Sequence, residues 1–334
     1  MNLRARASTL AILGLASSCG RAKVVNFDDS GPSLTVLRPA LYPETIEYNV
    51  KDDKFLLSSI REGAIYEVDR AGSASLLVDD HRLCSVLGIA VDAARNRLWA
   101  VNSDLGTSIK PSAFGPKKLA AVGIYDLASG KAINYLDLTP LASGPHLLNG
   151  IAVDSAGNAY VTDSFSPVIY KIDTQANPSV FLHSERFAGE GINLNGVIVH
   201  PDGYLLVIKK SDGALFKVPL DEPSHFSRVA ISEQFVGGDG LTLVGKQDLV
   251  VISNRTPSKS SNAAYALSSD DGWSTAKLGA VQQLGDVYPT TAVLHDGTLY
   301  VVHSKLNELI ALPPEKKAQL RVEATIRPIA RIAR

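Results

Sequence analysis

The sequence predicts an all-β fold, a six-bladed β-propeller of four-stranded antiparallel blades. Three observations predict it. Six segments superpose in one register, beginning at Glu44, Leu87, Asn149, Asn195, Asp239 and Thr290. Each carries apolar or aromatic residues two and four positions on (Ile46 and Tyr48, Ile89 and Val91, Ile151 and Val153, Val197 and Val199, Leu241 and Leu243, Ala292 and Leu294), which is the two-residue period of a strand. Segments with a helical period are nearly absent, which argues against a doubly wound α/β fold.

The elements follow in order within each repeat. A turn signal closes most first strands, as in Asp154 to Gly157, Pro201-Asp202-Gly203 and Asp296-Gly297. A second apolar strand follows: Phe55-Leu56-Leu57, Leu98-Trp99-Ala100-Val101, Ala159-Tyr160-Val161, Leu205-Leu206-Val207, Leu249-Val250-Val251 and Leu299-Tyr300-Val301-Val302. Third strands are clear at Ile65-Tyr66-Glu67-Val68, Ile169-Tyr170-Lys171-Ile172 and Leu215-Phe216-Lys217-Val218. The repeat starts are separated by 43, 62, 46, 44 and 51 residues, the spacing of a propeller blade. The long interval holds an insertion around residues 103–119, rich in Lys, Pro, Gly and Ser. Either Leu34-Thr35-Val36-Leu37 or Leu320-Arg321-Val322 is available to complete the sixth blade. A β-sandwich is the alternative, but a sandwich does not need six in-register repeats.

One propeller accounts for residues 33–334 of the 334-residue chain. A formal net charge of −1, or −3 once Arg4 and Arg6 are removed with a leader, and the lack of a basic stripe exclude nucleic acid as an expected partner. The N-terminus reads as a signal peptide over residues 1–18: Arg4 and Arg6 precede a seven-residue apolar stretch at 10–16, too short to span a bilayer. Ala16-Ser17-Ser18-Cys19 then resembles a bacterial lipoprotein box, with Cys19 as the lipidated first mature residue, although Leu15 stands four rather than three places before the cysteine. The expectation is an exported, periplasmic or cell-envelope monomer that meets the membrane only through its lipid. Plain secretion is the alternative. Residues 19–32 would be a tether. Cys84, the second of two cysteines, is then left without a partner and reads as a small buried hydrophobe.

In a propeller the first-strand ends face one another around a central channel. Four of the six start positions bear oxygen: the carboxylates Glu44 and Asp239 and the carboxamides Asn149 and Asn195. Hard divalent cations take such ligands, and Ca2+ accepts six to eight oxygens in flexible geometry. Zinc would call for His or Cys. Asn-Gly and Asp-Gly are also common turn pairs, so each motif alone reads as a turn. Glu44, a poor turn former, in the same register favours a shared site.

This pattern resembles the senescence-marker-protein/gluconolactonase/luciferin-regenerating superfamily of six-bladed propellers, which includes calcium-dependent lactonases. Paraoxonases and diisopropylfluorophosphatase are similar in layout. The resemblance rests on Glu44 in Tyr-Pro-Glu-Thr, Asn149 in Leu-Asn-Gly-Ile, Asn195 in Leu-Asn-Gly-Val and Asp239 in Gly-Asp-Gly-Leu. It implies one catalytic Ca2+ held by these four residues, a small-molecule substrate with a lactone, ester or phosphotriester bond, and catalytic roles for Asp239 (ligand, nucleophile or base) and Glu44. Thr45 departs from the family's usual glycine. The scaffold also hosts metal-free strictosidine-synthase-like enzymes and non-catalytic ligand-binding propellers, which remain the alternatives.

Other polar residues carry weaker signals. His146, three residues before Asn149, is a candidate substrate contact, as a proton shuttle or oxyanion donor. Asp104, Asp163 and Ser164 read as turn caps. Lys209-Lys210 and Asn254-Arg255, at the equivalent ends of second strands, read as a solvated edge, and Arg321, Arg327, Arg331 and Arg334 as a solvated tail.

Overall fold

The computed structural model describes Val25, Phe27 and residues 31–110, 112, 114–231, 237–254, 262–317 and 319–331. Cys19, the leader, Arg255 and Arg334 lie outside the described residues. A short N-terminal strand, β1 (Leu34–Thr35), precedes the repeats. Blade one is β2 (Ile46–Asn49), β3 (Lys54–Ser59), β4 (Ala64–Val68) and β5 (Ala74–Val78). Blade two is β6 (Ser85–Asp92), β7 (Arg97–Ser103), β8 (Ala120–Asp126) and β9 (Ala132–Asp137). Blade three is β10 (Leu148–Val153), β11 (Ala159–Asp163), β12 (Val168–Ile172) and β13 (Pro178–His183). Blade four is β14 (Leu194–His200), β15 (Tyr204–Lys209), β16 (Leu215–Pro219) and β17 (Ser227–Arg228). A two-residue strand, β18 (Ala230–Ile231), adds in parallel to the outer edge of blade five, which is β19 (Gly238–Gly245), β20 (Asp248–Ser253), β21 (Ala263–Ser268) and β22 (Thr275–Gln283). Blade six starts with β23 (Pro289–His295) and β24 (Thr298–His303), passes through helices α1 (Leu306–Ala311) and α2 (Pro314–Lys317), and returns in β25 (Thr325–Arg331).

Closure of the ring is decided between the two candidates. The sixth sheet runs β1-β25-β24-β23, so Leu34-Thr35 supplies the outermost strand, pairing with Ile326 and Thr325. Leu320-Arg321-Val322 is not in a strand. Arg327 and Arg331 belong to β25 rather than to a solvated tail, because the third strand of this blade needs them in its ladder. Val25 is buried and Phe27 bridges to Ala330, so the segment read as a tether touches this blade.

The second strands read as continuous apolar runs because each blade is packed on both faces. In β7, Leu98 and Ala100 join a core with Leu56 and Ile65 of blade one, while Trp99 and Val101 join one with Val161 and Tyr170 of blade three. In β20, Leu249 and Val251 face Leu206 and Ile208 of blade four, and Val250 and Ile252 face Leu299 and Val301 of blade six. Six such inter-blade cores hold the ring, and each fully buried Leu, Val or Ile contributes about 1.5–3 kcal/mol relative to exposure. The alternation of a strand is thus split between two neighbours rather than between core and water.

The repeat register found in the sequence marks a β-bulge. In blades two to six the pairing of first and second strands skips one residue at Leu87-Gly88, Asn149-Gly150, Asn195-Gly196, Asp239-Gly240 and Thr290-Thr291. These pairs are therefore not turns. The glycines are there for close approach: a Cβ on Gly88 would lie 2.3 Å from the Asn149 carbonyl oxygen, one on Gly150 2.6 Å from that of Asn195, and one on Gly196 2.3 Å from that of Asp239. Each bulge bends the strand end inward and turns its first side chain toward the axis.

Candidate functional site at the channel end

The bulges of blades three, four and five, together with the segment just before β2 in blade one, bring the four sequence-predicted oxygens to one end of the channel. Glu44, Asn149, Asn195 and Asp239 are 5%, 4%, 3% and 3% exposed. Glu44, Asn149 and Asn195 line a cavity of about 270 Å³ that runs down the inner strands past Glu47 and the apolar Ala90, Val153, Ile198 and Leu241. From blade six, α1 sends Leu306 and Leu309 into one cluster with Tyr42, Ile60 and Leu87.

Local hydrogen bonds set each side chain. Glu44 and Thr45 donate their backbone N–H groups to Ser58 Oγ at 3.2 and 2.9 Å, and the Thr45 hydroxyl donates to Glu44 Oε2 at 2.7 Å. The Thr45 hydroxyl therefore holds the carboxyl directly. At the seam with blade six, Thr291 Oγ1 accepts from Ile46 N and donates to the Glu44 carbonyl. Asn149 Nδ2 donates to Ser164 Oγ at 3.1 Å, and that hydroxyl donates to the Leu194 carbonyl. This fixes the amide orientation and leaves Asn149 Oδ1 buried without a donor. Ser164 is thus part of the site, one step beyond the cap expected of it.

Lys210 and Asn254 are the site residues that sequence reasoning missed. Both are buried, at 5% and below 1% exposure, so they are not a solvated edge. Lys210 Nζ donates to Asp239 Oδ2 at 2.8 Å and to Asn254 Oδ1, and Asn254 Nδ2 donates to the same Asp239 oxygen and to the Pro289 carbonyl at 2.9 Å. The signal was present: Ser103, Ser164, Lys210, Asn254 and Ser304 occupy one register, each just past or at the end of a second strand, where the apolar run stops. Burial by itself would strip the charge from Lys210, but Asp239 first, with Tyr288 and Glu44, holds its pKa above the ordinary lysine value. Burial, and then the Asp239 charge, push the Glu44 carboxyl well above the usual carboxylate range, against Thr45 and Lys210, which lower it. Glu47, further along the same cavity, is pushed up to about 7 by desolvation.

His146 is 1% exposed. Its Nδ1 donates to Asp163 Oδ2 at 2.7 Å and its Nε2 to the Ala142 carbonyl at 3.1 Å. Two acceptors require two ring protons, and the Asp163 hydrogen bond raises the histidine pKa. His146 thereby ties the loop at Ala142 to the end of β11. Asp163 also accepts from Leu147, Phe165 and Ser166 N–H, and Asp104 from Gly106 N–H, as turn caps do. Cys84 is buried and unpaired, with its thiol pushed up to about 12 by burial.

No protein-family model matches the chain, and no curated protein matches it significantly. Solved structures do match. The major allergen Mala s 1 of Malassezia sympodialis superposes with a TM-score of 0.70 at 17% identity, over 90% of this chain and 96% of that one. A protein assigned as a gluconolactonase gives 0.61 at 12% identity, over 93% and 96%. A luciferin-regenerating enzyme gives 0.58 at 12% identity, over 90% and 98%. These likenesses establish the six-bladed propeller shared with the gluconolactonase and luciferin-regenerating proteins. At such identities they speak to fold alone.

Proposed function

We propose that the protein is a small-molecule hydrolase acting on a lactone, ester or phosphotriester bond at the ring of Glu44, Asn149, Asn195 and Asp239, with one Ca2+ as its cofactor. The observation that supports this most is the buried, donorless Oδ1 of Asn149 in a ring of oxygen donors beside a partly apolar cavity. A hard cation is what would satisfy such an oxygen. The donor set fits: two carboxylates and two carboxamides, with Glu44, which burial and Asp239 keep from ionising easily, able to ionise once a positive charge sits beside it. When bound, Ca2+ would act as a Lewis acid on the substrate's carbonyl or phosphoryl oxygen.

The chain's own residues do the rest. Asn149, fixed by Ser164, and Asn195 orient the polar end of the substrate. Asp239, fixed by Lys210 and Asn254, acts as nucleophile or base. The apolar channel wall receives the remainder of the substrate and excludes water. A second reading is favoured by one observation, the Lys210 ammonium on Asp239: a metal-free enzyme in which that ammonium supplies the positive charge. Export and lipidation at Cys19 belong to the same proposal and rest on the N-terminal pattern.

Calorimetric titration of the purified protein with Ca2+ tests the cofactor, against the Glu44→Gln/Asp239→Asn double variant. Binding of about one ion, lost in the double variant, is expected, followed by turnover on a lactone and ester panel. Turnover without bound ion would select the metal-free reading. Neither binding nor turnover would leave a non-catalytic propeller.

A further inference from the structure

The register that ends each second strand has a common task. Ser103 Oγ donates to the Leu148 carbonyl at 3.2 Å, Ser164 to that of Leu194, Ser304 to that of Tyr288 at 2.9 Å, and Asn254 to that of Pro289 at 2.9 Å. In blades two, three and five the group thereby ties down the first strand of the following blade. Blade four has Lys210 at this place, and its side chain reaches past the backbone to the Asp239 carboxylate. Where blades two, three, five and six use three serine hydroxyls and one carboxamide, blade four has a cation, which joins Asn254 on the Asp239 carboxylate.

We infer that Lys210 is a built-in competitor of the divalent cation at this ring: its ammonium occupies Asp239, and an ion gains that ligand only by displacing it. The inference rests on the ring being a cation site, for which the buried and unpartnered Asn149 Oδ1 is the independent sign. An ammonium has three donors, and here two of them serve Asp239 and Asn254. Both of those side chains are aligned by it. Unless the ammonium leaves, a divalent ion on Asp239 would face a positive charge whose nitrogen lies 2.8 Å from Asp239 Oδ2, in surroundings shielded from water, where like charges repel strongly. Glu44 lies within electrostatic reach of both Asp239 and Lys210, so the ammonium offsets part of the ring's negative charge before any ion arrives. The consequence is a weakened and selective site, open to a divalent ion only at high concentration or when substrate draws the lysine away.

The test is Ca2+ binding by calorimetry in the wild type, Lys210→Met and Lys210→Met/Asp239→Asn. The expected result is affinity about tenfold or more tighter in Lys210→Met, with the gain lost in the double variant. A Ca2+-dependent rise in melting temperature should appear in Lys210→Met and be smaller in the wild type, a readout independent of turnover. If Lys210→Met does not fold, Lys210→Gln, which keeps a hydrogen-bonding head, carries the same comparison. Equal or weaker affinity in the lysine variants overturns the competition while leaving the ring a cation site. No binding by any variant overturns both.

Discussion

Replacing Glu47 with glutamine should stabilise the protein at alkaline pH and do little at acid pH. Glu47 sits in the channel among apolar walls, and desolvation lifts its carboxyl from the ordinary 4.5 to about 7. Below pH 4.5 folded and unfolded chains both hold the proton, and the group does not bias folding. Between 4.5 and 7 the unfolded chain releases it while the folded chain keeps it. The unfolded state then binds fewer protons, so stability falls as pH rises and levels off above 7. The shift of about 2.5 units corresponds to about 3 kcal/mol at 1.36 kcal/mol per unit, an upper value because channel water reaches this side chain. Denaturant unfolding followed by the fluorescence of Trp99 and Trp273, which are buried in different inter-blade cores, measures it. The Glu47→Gln variant should gain about 2–3 kcal/mol more over the wild type at pH 8 than at pH 5. A gain that is the same at both pH values would show that Glu47 is solvated like a surface carboxylate.

Four further outcomes are expected. Glu44→Gln and Asp239→Asn should each abolish turnover and weaken Ca2+ binding in calorimetry with the fold kept, whereas Asp239→Ala should cost about 3–5 kcal/mol in denaturant unfolding because it strands the buried Lys210 charge. Adding Lys210→Met to Asp239→Ala should recover most of that loss, and a double-mutant cycle reads it. Gly196→Ala should destabilise by about 1–3 kcal/mol through its clash with the Asp239 carbonyl, while Gly279→Ala, whose new Cβ would meet its nearest neighbour at 3.6 Å, should be close to neutral. His146→Gln should cost most at low pH: the Asp163 hydrogen bond raises the folded pKa of His146, so its contribution is full below 6.5 and fades as pH rises through the folded value. Melting temperatures at pH 5.5 and 8.5 check this, and a penalty independent of pH would mean that the imidazole is neutral.

The sequence by itself carried the blade count, the order of strands and the four ring oxygens, because all of these are repeated and local. Alternation, turn residues and the in-register Glu44, Asn149, Asn195 and Asp239 recur at fixed spacing, and a repeat makes weak signals additive. It also carried the inert character of Cys84. Tertiary structure decided the rest. Asn-Gly and Asp-Gly look like turns in isolation; they are bulges because the glycine must admit the next blade's carbonyl, a contact between residues more than forty apart. Two short apolar segments were equal candidates to close the ring, and only the pairing of Leu34 with Ile326 chose between them. Lys209-Lys210 reads as surface because lysine seldom lies buried without a partner. Asp239 and Asn254 provide that partner for Lys210 from another blade, and no local pattern announces a charge whose counter-charge arrives only when blades four and five pack.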